Sequence, residues 1–372
     1  MVLDFRDPRP LYKQVEDDIK ERIAHGELKV GEQLESQQVL AQKYGVSLIT
    51  IKRALNDLIN EGILFSRAGK GTYVARRTPG VDYAKHQTIG LVIRDLNSPF
   101  FSLILRKVEA LASEHNYNLL LSSSANRLEK EEDLIRHFLE IGVSGLIIAS
   151  MSHVYRATPI IRKLHEENYP YIMVSYMEDE DIYYVGTDNI EGGYMAAEHL
   201  IKLGYRKLGY INGERGNLLG ERRKEGFLRA LNEYGLSFNP KFEFWLRLRG
   251  EWNDYQSGYE IGEHFAGLDD RPEAMFVYND LSALGFERAV LDKGLRVPED
   301  VAIVGFDDIK RGVVAPVPLT TIHQPTDEIG GLAFEYLVRR IEGEEVPVRT
   351  ILKPSLVVRD SCGASKQDRR EV

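Results

Sequence analysis

Cysteine is almost absent from the 372 residues: Cys362 is the only one. A single thiol can form neither an intramolecular disulfide nor a cysteine-rich metal site, and it fits a reducing compartment. Next to the polar C-terminal stretch it reads as an incidental thiol. Long apolar runs are missing too. Gly145 to Met151 falls far short of the roughly 20 residues that a membrane helix needs. The opening MVLDFRDPRP is charged from Asp4 onward and has no apolar segment of the secretory kind, so a soluble cytoplasmic protein is expected. His199, His264 and His323 are scattered without metal-ligand spacing. The stretch Gly142, Val143, Ser144, Gly145 lacks the G-x-S-x-G spacing and precedes a strand-like run. Asp307 and Asp308 stand without a second carboxylate cluster to share a cation. Neither a metal, nor another cofactor, nor a catalytic residue is expected, and the chain does not read as an enzyme.

Hydrophobic residues make up 43% and charged residues 28%, the balance of a chain with a packed core. At about 150 residues per domain, two or three domains are expected. The net charge of −9 argues against indiscriminate coating of nucleic acid or anionic membrane. It is unevenly spread, however: −3 over residues 1–41, +5 over residues 42–77 and −11 beyond. A locally basic module is hidden inside an acidic chain.

The basic segment closes a distinctive pattern. Leu11, Val15, Ile19 and Ile23 recur every fourth residue and predict one amphipathic helix, stopped by Gly26. Ser36 is placed to cap a short helix that Gly45 ends, and Ser47 to cap a third with the buried stripe Ile51, Leu55, Leu58 and Ile59. Two short segments, Ile63 to Arg67 and Thr72 to Ala75, flank a glycine-containing turn. Three helices and a hairpin predict a winged helix-turn-helix over residues 1–77. Residues 78–87 carry charge, Pro79 and Gly80 without apolar periodicity and read as a linker.

The third helix presents Leu48, Lys52 and Asn56 opposite its buried stripe, with Arg53 beside them. A helix that enters the major groove needs such a polar, basic face and a capped N-terminus near phosphate. Arg67, Gly69, Lys70, Gly71 and Thr72 of the hairpin add charge and small residues that let backbone amides approach a phosphate. The turn lacks the spacing of a nucleotide-binding P-loop and its strand-loop-helix setting. Double-stranded DNA is the expected partner.

From Thr88 onward, short Val/Ile/Leu-rich runs alternate with amphipathic stretches: Ile89 to Ile93, Leu119 to Leu121, Leu146 to Ala149, Tyr171 to Val174, Leu208 to Ile211, Met275 to Val277 and Val301 to Val304. Such runs predict parallel sheets covered by helices on both faces, with residues enough for two lobes. The fold class is thus α/β with an α+β head. In open α/β sheets, ligands gather outside the carboxyl ends of strands. Ser98, Phe100, Phe101, Ser175, Tyr176, Arg222, Arg223, Trp252, Asn279, Asp307 and Asp308 all fall after strand-like runs. Aromatic faces there can sandwich a sugar ring or a base, while Asn, Asp and Arg supply directional hydrogen bonds.

Two resemblances sharpen this reading. The motifs PLY, GELKVGEQL, LAQKYGVS, the A-L-x-x-L-x-x-E-G-I-L segment and GKGTYV, in that order, resemble the GntR family of winged-helix regulators. The resemblance implies DNA contacts at Gln38, Ser47, Thr50, Lys52, Gly69 and Lys70. Glu35 stands where proline is usual, Leu48 where arginine is usual and Lys52 where arginine is frequent. Leucine cannot offer guanine a bidentate fork, so a divergent operator is expected. Residues 88–362, through IGLVIRDLNSPFF, ERRKEGF, AMFVYNDLSALG, GLRVPEDVAIVGFDD and LTTIHQPTDEIG, resemble the LacI/GalR effector-binding domain and periplasmic sugar-binding proteins. That resemblance implies a two-lobed periplasmic-binding-protein-like body with three crossovers and effector contacts at Ser98, Phe100, Phe101, Arg223, Trp252, Asn279, Asp307 and Gln324. Ser175 occupies a position where many sugar-binding members carry aspartate, and the family's hinge helix has no match in the linker. Residues 363–372 read as a polar tail. A GntR-type head on a LacI-type body is the organisation of AraR-like repressors. It implies a homodimer on a pseudo-palindromic operator, released or retained by a small sugar. A nucleobase effector, or a sugar-binding protein with a head that does not bind DNA, remains as an alternative.

Overall fold

The computed structural model describes residues 10–29, 31–67, 71–75, 87–150, 155–247 and 254–364. The chain divides into two compact units, residues 1–87 and 88–372.

The first unit contains helices α1 (Leu11–Ala24), α2 (Gln37–Tyr44) and α3 (Leu48–Asn60) and the antiparallel hairpin β1 (Leu64–Arg67) and β2 (Gly71–Val74). Local chemistry sets its boundaries. The Ser36 side chain accepts a hydrogen bond from the Val39 amide at 3.3 Å, and Ser47 accepts one from the Thr50 amide at 3.1 Å. Gly45 closes α2 in the left-handed conformation, where glycine has no Cβ to clash. Val15, Ile19, Leu40, Ile51, Leu55, Leu58 and Val74 are fully buried together, while Ile59 only packs at the edge of this core. Burial of each large side chain contributes about 1.5–3 kcal/mol. Residues 31–34 pair with the hairpin as well: the Leu34 amide donates to the Thr72 carbonyl, and the Val74 amide to that of Glu32.

The second unit begins with five strands of one sheet, β3 (Thr88–Ile93), β4 (Asn118–Ser123), β5 (Gly145–Ile148), β6 (Tyr171–Ser175) and β7 (Tyr184–Thr187), with helices α4 (Pro99–Glu114), α5 (Leu128–Ile141) and α6 (Pro159–Glu166) between them. Then follow α7 (Asn189–Lys202), β8 (Leu208–Asn212), α8 (Leu218–Glu233), β9 (Glu243–Trp245), α9 (Asp254–Ala266), β10 (Ala274–Val277), α10 (Asp280–Asp292), β11 (Ala302–Asp307), α11 (Lys310–Val313) and β12 (Thr320–His323). The chain returns through α12 (Thr326–Ile341) and β13 (Arg349–Leu352) to the first sheet and ends with β14 (Ser355–Val357) in the second. The sheet orders are β13-β7-β6-β5-β3-β4 and β14-β12-β11-β10-β8-β9. All neighbours are parallel except β12 and β14. Three crossovers, β7 to α7, β12 to α12 and β13 to β14, therefore join the two lobes.

Several elements depart from the expectation drawn from apolar runs. β7, β12, β13 and β14 carry too few aliphatic residues to stand out, yet Thr320 and Thr321 are wholly buried because their hydroxyls find partners. β4 lies at a sheet edge, so Leu121 stays exposed despite its apolar neighbours. Cys362 is not an incidental thiol on a polar tail: it is fully buried in the core of the second lobe, 3.2 Å from His199 Nε2.

Glycines let helices of the second lobe cross closely. A Cβ on Gly193 of α7 would lie 1.9 Å from the Arg223 carbonyl oxygen of α8, and one on Gly226 would lie 1.8 Å from that of Ile190. Gly258 and Gly285 do the same for α9 and α10. These crossings hold α7 on α8 and α9 on α10, and the N-terminal end of α8 meets the first lobe through Asn217 and Arg222.

Candidate DNA-binding face and effector cleft

Among the described side chains of α3, the exposed ones are Leu48, Ile49, Lys52, Arg53 and Asn56. Ser47 and Thr50 are occupied with each other, their hydroxyl oxygens 2.8 Å apart, so both serve the helix start. The Arg53 guanidinium lies 3.9 Å from the centre of the Tyr12 ring, a cation-π contact that ties α3 to α1 and orients the charge. Gln38 is exposed on the first turn of α2. In the hairpin, Gly71 has φ of +114°, and a Cβ there would meet the Gln33 side chain at 2.6 Å, so this glycine is demanded by its own backbone. Thr72 is half-buried beside it. Gly69, Lys70 and Trp252, with the side chain of Arg67, lie outside the described residues. Ile49 had no place in the sequence reading, which looked for polar residues on this face; its period relative to the buried stripe was the signal available.

In the body, part of the second set of residues meets at or across the boundary between the lobes. Ser98 is the N-cap residue of α4. Phe100 and Phe101 meet edge to face with ring centres 5.1 Å apart; Phe101 belongs to the core of the first lobe, while Phe100 is only partly buried. At the end of β6, Ser175 adopts φ of +89° and its carbonyl accepts from the Tyr184 hydroxyl at 2.8 Å. Tyr176 hydrogen-bonds to Glu178, and both meet Arg222 of the opposite lobe. The Arg222 guanidinium grips Glu178 through three bonds of 2.9, 3.0 and 3.1 Å and donates to the Tyr176 oxygen at 3.0 Å. Burial raises the Glu178 pKa, but hydrogen bonds from Tyr176 and Arg222 outweigh it and hold the group below the usual range. This cluster bridges the lobes.

Deeper in the cleft, Arg223 is almost wholly buried. Its Nε donates to Asn189 at 3.0 Å, another N–H donates to the Tyr278 carbonyl, and the guanidinium lies 3.6 Å from the centre of the Phe306 ring. Asn279 caps α10 through the Ser282 amide and donates to Asp254 at 2.6 Å. Gln324, on the β12 to α12 crossover, donates to Asp307 at 2.7 Å. Burial pushes the Asp307 pKa up to about 7, against the pull of Arg223. Burial raises that of Asp254 as well, opposed by Asn279 and Arg94. Neighbouring Asp308 does not face this group: it pairs with Arg359 at 2.6 Å and His323 at 3.0 Å.

Sequence reasoning missed Arg94, Tyr155, Asn217, Asp254 and Tyr278. Arg94 donates to the Tyr155 hydroxyl at 3.2 Å, Tyr155 donates to Asn217 at 3.3 Å, and Asn217 donates to the Tyr278 hydroxyl at 3.1 Å. The chain runs from the first lobe to the second. Arg94 and Tyr278 directly follow apolar strands and could have been found by extending each run; Tyr155 and Asn217 sit in loops without periodicity. Tyr155, Ser175, Asp307 and Asp308 all adopt positive φ, a strain that side chains seldom bear and that concentrates at binding sites.

No group of three His, Cys, Asp or Glu side chains suited to a metal occurs among the described residues, and none of their helices is long and apolar enough to cross a membrane.

A winged helix-turn-helix joined in one chain to a two-lobed body with a polar cleft defines a ligand-binding transcription regulator. Residues 11–74 match the bacterial regulatory proteins of the gntR family, and residues 197–362 match the periplasmic binding protein-like domain. The chain belongs to the GntR regulators that carry a LacI-type body, the family of the arabinose metabolism transcriptional repressors. It is 30% identical to the repressor of that name from Halalkalibacterium halodurans over 96% of this chain and 98% of that one. The HTH-type transcriptional repressor PurR of Haemophilus influenzae is 31% identical over 74% of this chain and 81% of its own length. Among solved structures, a LacI family regulator from Enterococcus faecium with bound ribose superposes with a TM-score of 0.64 and 29% identity, covering 74% of this chain and 98% of that one.

Proposed function

We propose that the chain is a sugar-responsive repressor that holds a pseudo-palindromic operator as a homodimer and changes its DNA affinity when a small neutral sugar enters the cleft. The charge balance of the cleft carries this reading. Two cations, Arg94 and Arg223, are opposed by two carboxyl groups, Asp254 and Asp307, among amides and aromatic rings. A polyol satisfies such mixed donors and acceptors, whereas a sugar phosphate would bring negative charge towards two buried carboxyls. Ser98, Phe100, Ser175, Tyr176, Asn279 and Gln324 complete the proposed contacts. The relatives named for arabinose metabolism and the neighbour holding ribose favour a pentose.

Gln324 and Asn189 lie on or beside crossovers, so a ligand that engages their partners Asp307 and Arg223 biases the angle between lobes. A coupling of about 1–3 kcal/mol would shift operator affinity by about 5- to 150-fold. The ligand leaves unaltered, because the role assigned to the cleft is recognition. Thermal-shift and calorimetric titration of the full chain with L-arabinose, D-ribose, D-xylose, hexoses, uronates and hypoxanthine tests this, followed by gel shift in the presence of the binder. One neutral sugar is expected to stabilise the body and alter DNA binding, and to lose both effects in Arg223→Ala. Stabilisation by hypoxanthine alone would replace the sugar with a purine. Binding that survives Arg223→Ala would overturn the cleft assignment.

A further inference from the structure

Ile49 is 79% exposed and Leu48 38% exposed on the first turn of α3. At about 100° per residue, Ile49 falls in the sector between Asn56 and Arg53, while Leu48 falls between Lys52 and the buried Leu55. Ile49 therefore lies on the face that carries the exposed polar and basic side chains, away from the buried stripe of Ile51, Ala54, Leu55 and Leu58, and Leu48 stands at the margin between the two. Ile49 stands near the middle of that face, at the end of the helix that a capped N-terminus directs to the groove floor. Branched aliphatic side chains offer no hydrogen bond to a base edge. The major groove presents one apolar group to match them, the C5-methyl of thymine.

We infer that Ile49 and Leu48 are specificity-determining residues that read thymine methyl groups in each operator half-site, while Lys52 and Asn56 supply the charged and hydrogen-bonding contacts around them. This inference rests on the DNA-binding reading of the head and goes further by naming the base feature that is read. Leu48 has no fork to offer the N7 and O6 acceptors of guanine, so a methyl is the base feature that its side chain can select. Arg53 is steered towards Tyr12, away from Ile49.

Selection of duplexes from a random pool with the full-length protein supplies the probe, and thymine is then replaced by uracil at each selected position in turn. Removing one buried methyl should weaken wild-type binding about fourfold at one or two thymines per half-site. Ile49→Ala should fold normally, since the side chain is exposed, and should bind thymine and uracil duplexes alike at one of those positions. Leu48→Arg should shift the selected base towards guanine. Equal binding of thymine and uracil duplexes by the wild type, or a methyl preference left intact in both Ile49→Ala and Leu48→Ala, would overturn the inference. If no duplex is enriched at all, the DNA-binding reading itself fails and this inference falls with it.

Discussion

The head and the cleft build their sites in opposite ways. The surface proposed to face DNA lies on consecutive turns of one helix, and its scaffold is local: Ser47 caps α3, Ser36 caps α2 and Gly45 separates them. The cleft is assembled from Arg94, Tyr155, Asn217, Asp254, Asn279, Asp307 and Gln324, residues spread over more than half of the chain and brought together by two sheets and three crossovers. Groove binding needs exposed side chains whose backbone is rigid. Effector binding needs buried polar groups, which only a completed tertiary fold can hold in hydrogen-bonded pairs. The cleft therefore depends on packing remote from it, and the head does not.

The sharpest way to break that contrast is Gly193→Ala. The added methyl would fall 1.9 Å from the Arg223 carbonyl, with backbone on both sides, so α7 and α8 must separate. A loss of ~3 kcal/mol in the body is expected, from overpacking against an unyielding neighbour. Effector binding should go with it because Arg223 and Asn189 are displaced, while the head keeps its helical content. Two-phase thermal unfolding by circular dichroism checks this. An unchanged body transition with full effector binding would show that the crossing does not set the position of Arg223.

The same contrast explains what was legible beforehand. Capping residues and the period of Ile51, Leu55 and Leu58 specify the head within a window of a few residues, so the winged helix was readable almost element by element. In the body, strong aliphatic runs marked the central strands, and residues following them, such as Asn279 and Asp307, could be singled out. Thr320 and Thr321 were hidden because buried hydroxyls look like loop residues until Asp280 and the Arg359 amide are in place. Tyr155 and Asn217 were hidden because a hydrogen-bonded relay between lobes leaves no period in either. Ile49 was overlooked for a different reason: polarity was taken as the mark of a DNA-facing surface.

Asp307 offers a second test, through pH. Its folded pKa of about 7 lies above the value of about 3.9 for an unfolded chain. The folded state binds the proton more tightly, so this group's contribution to stability is full below about pH 4 and is lost as pH rises through 7. Asp307→Asn keeps an acceptor for Gln324 and removes the buried charge. The variant should lie closest to the wild type near pH 4.5 and gain ~3 kcal/mol on it between there and pH 8, a gap read from urea unfolding at both pH values. A gap independent of pH would mean that Asp307 titrates as an ordinary surface carboxyl.

The head supplies a smaller effect. Ser47→Ala removes the acceptor for the Thr50 amide and should cost ~1 kcal/mol, confined to the first unit. Operator binding should weaken with it, and the effector-induced thermal shift of the body should stay as in the wild type. Loss of effector binding in this variant would contradict the local character assigned to the head.

The smallest expected effect probes the bridge between lobes. Arg222→Gln removes the guanidinium that holds Glu178 and Tyr176 across the cleft. Both charged groups are partly open to water, so their pairing is screened and its contribution to closure is modest, within the range of about 0.2–1 kcal/mol for exposed pairs. Effector affinity should fall about threefold, with most of the change in the dissociation rate, because the closed arrangement loses its clasp while Arg223 and Asp307 remain in place. Stopped-flow measurement at low and high salt separates the electrostatic part: the wild type should approach the variant as salt rises. A variant that binds more tightly than the wild type would reverse the argument, identifying the Arg222 bridge as a strut that resists closure and must open before the ligand is enclosed.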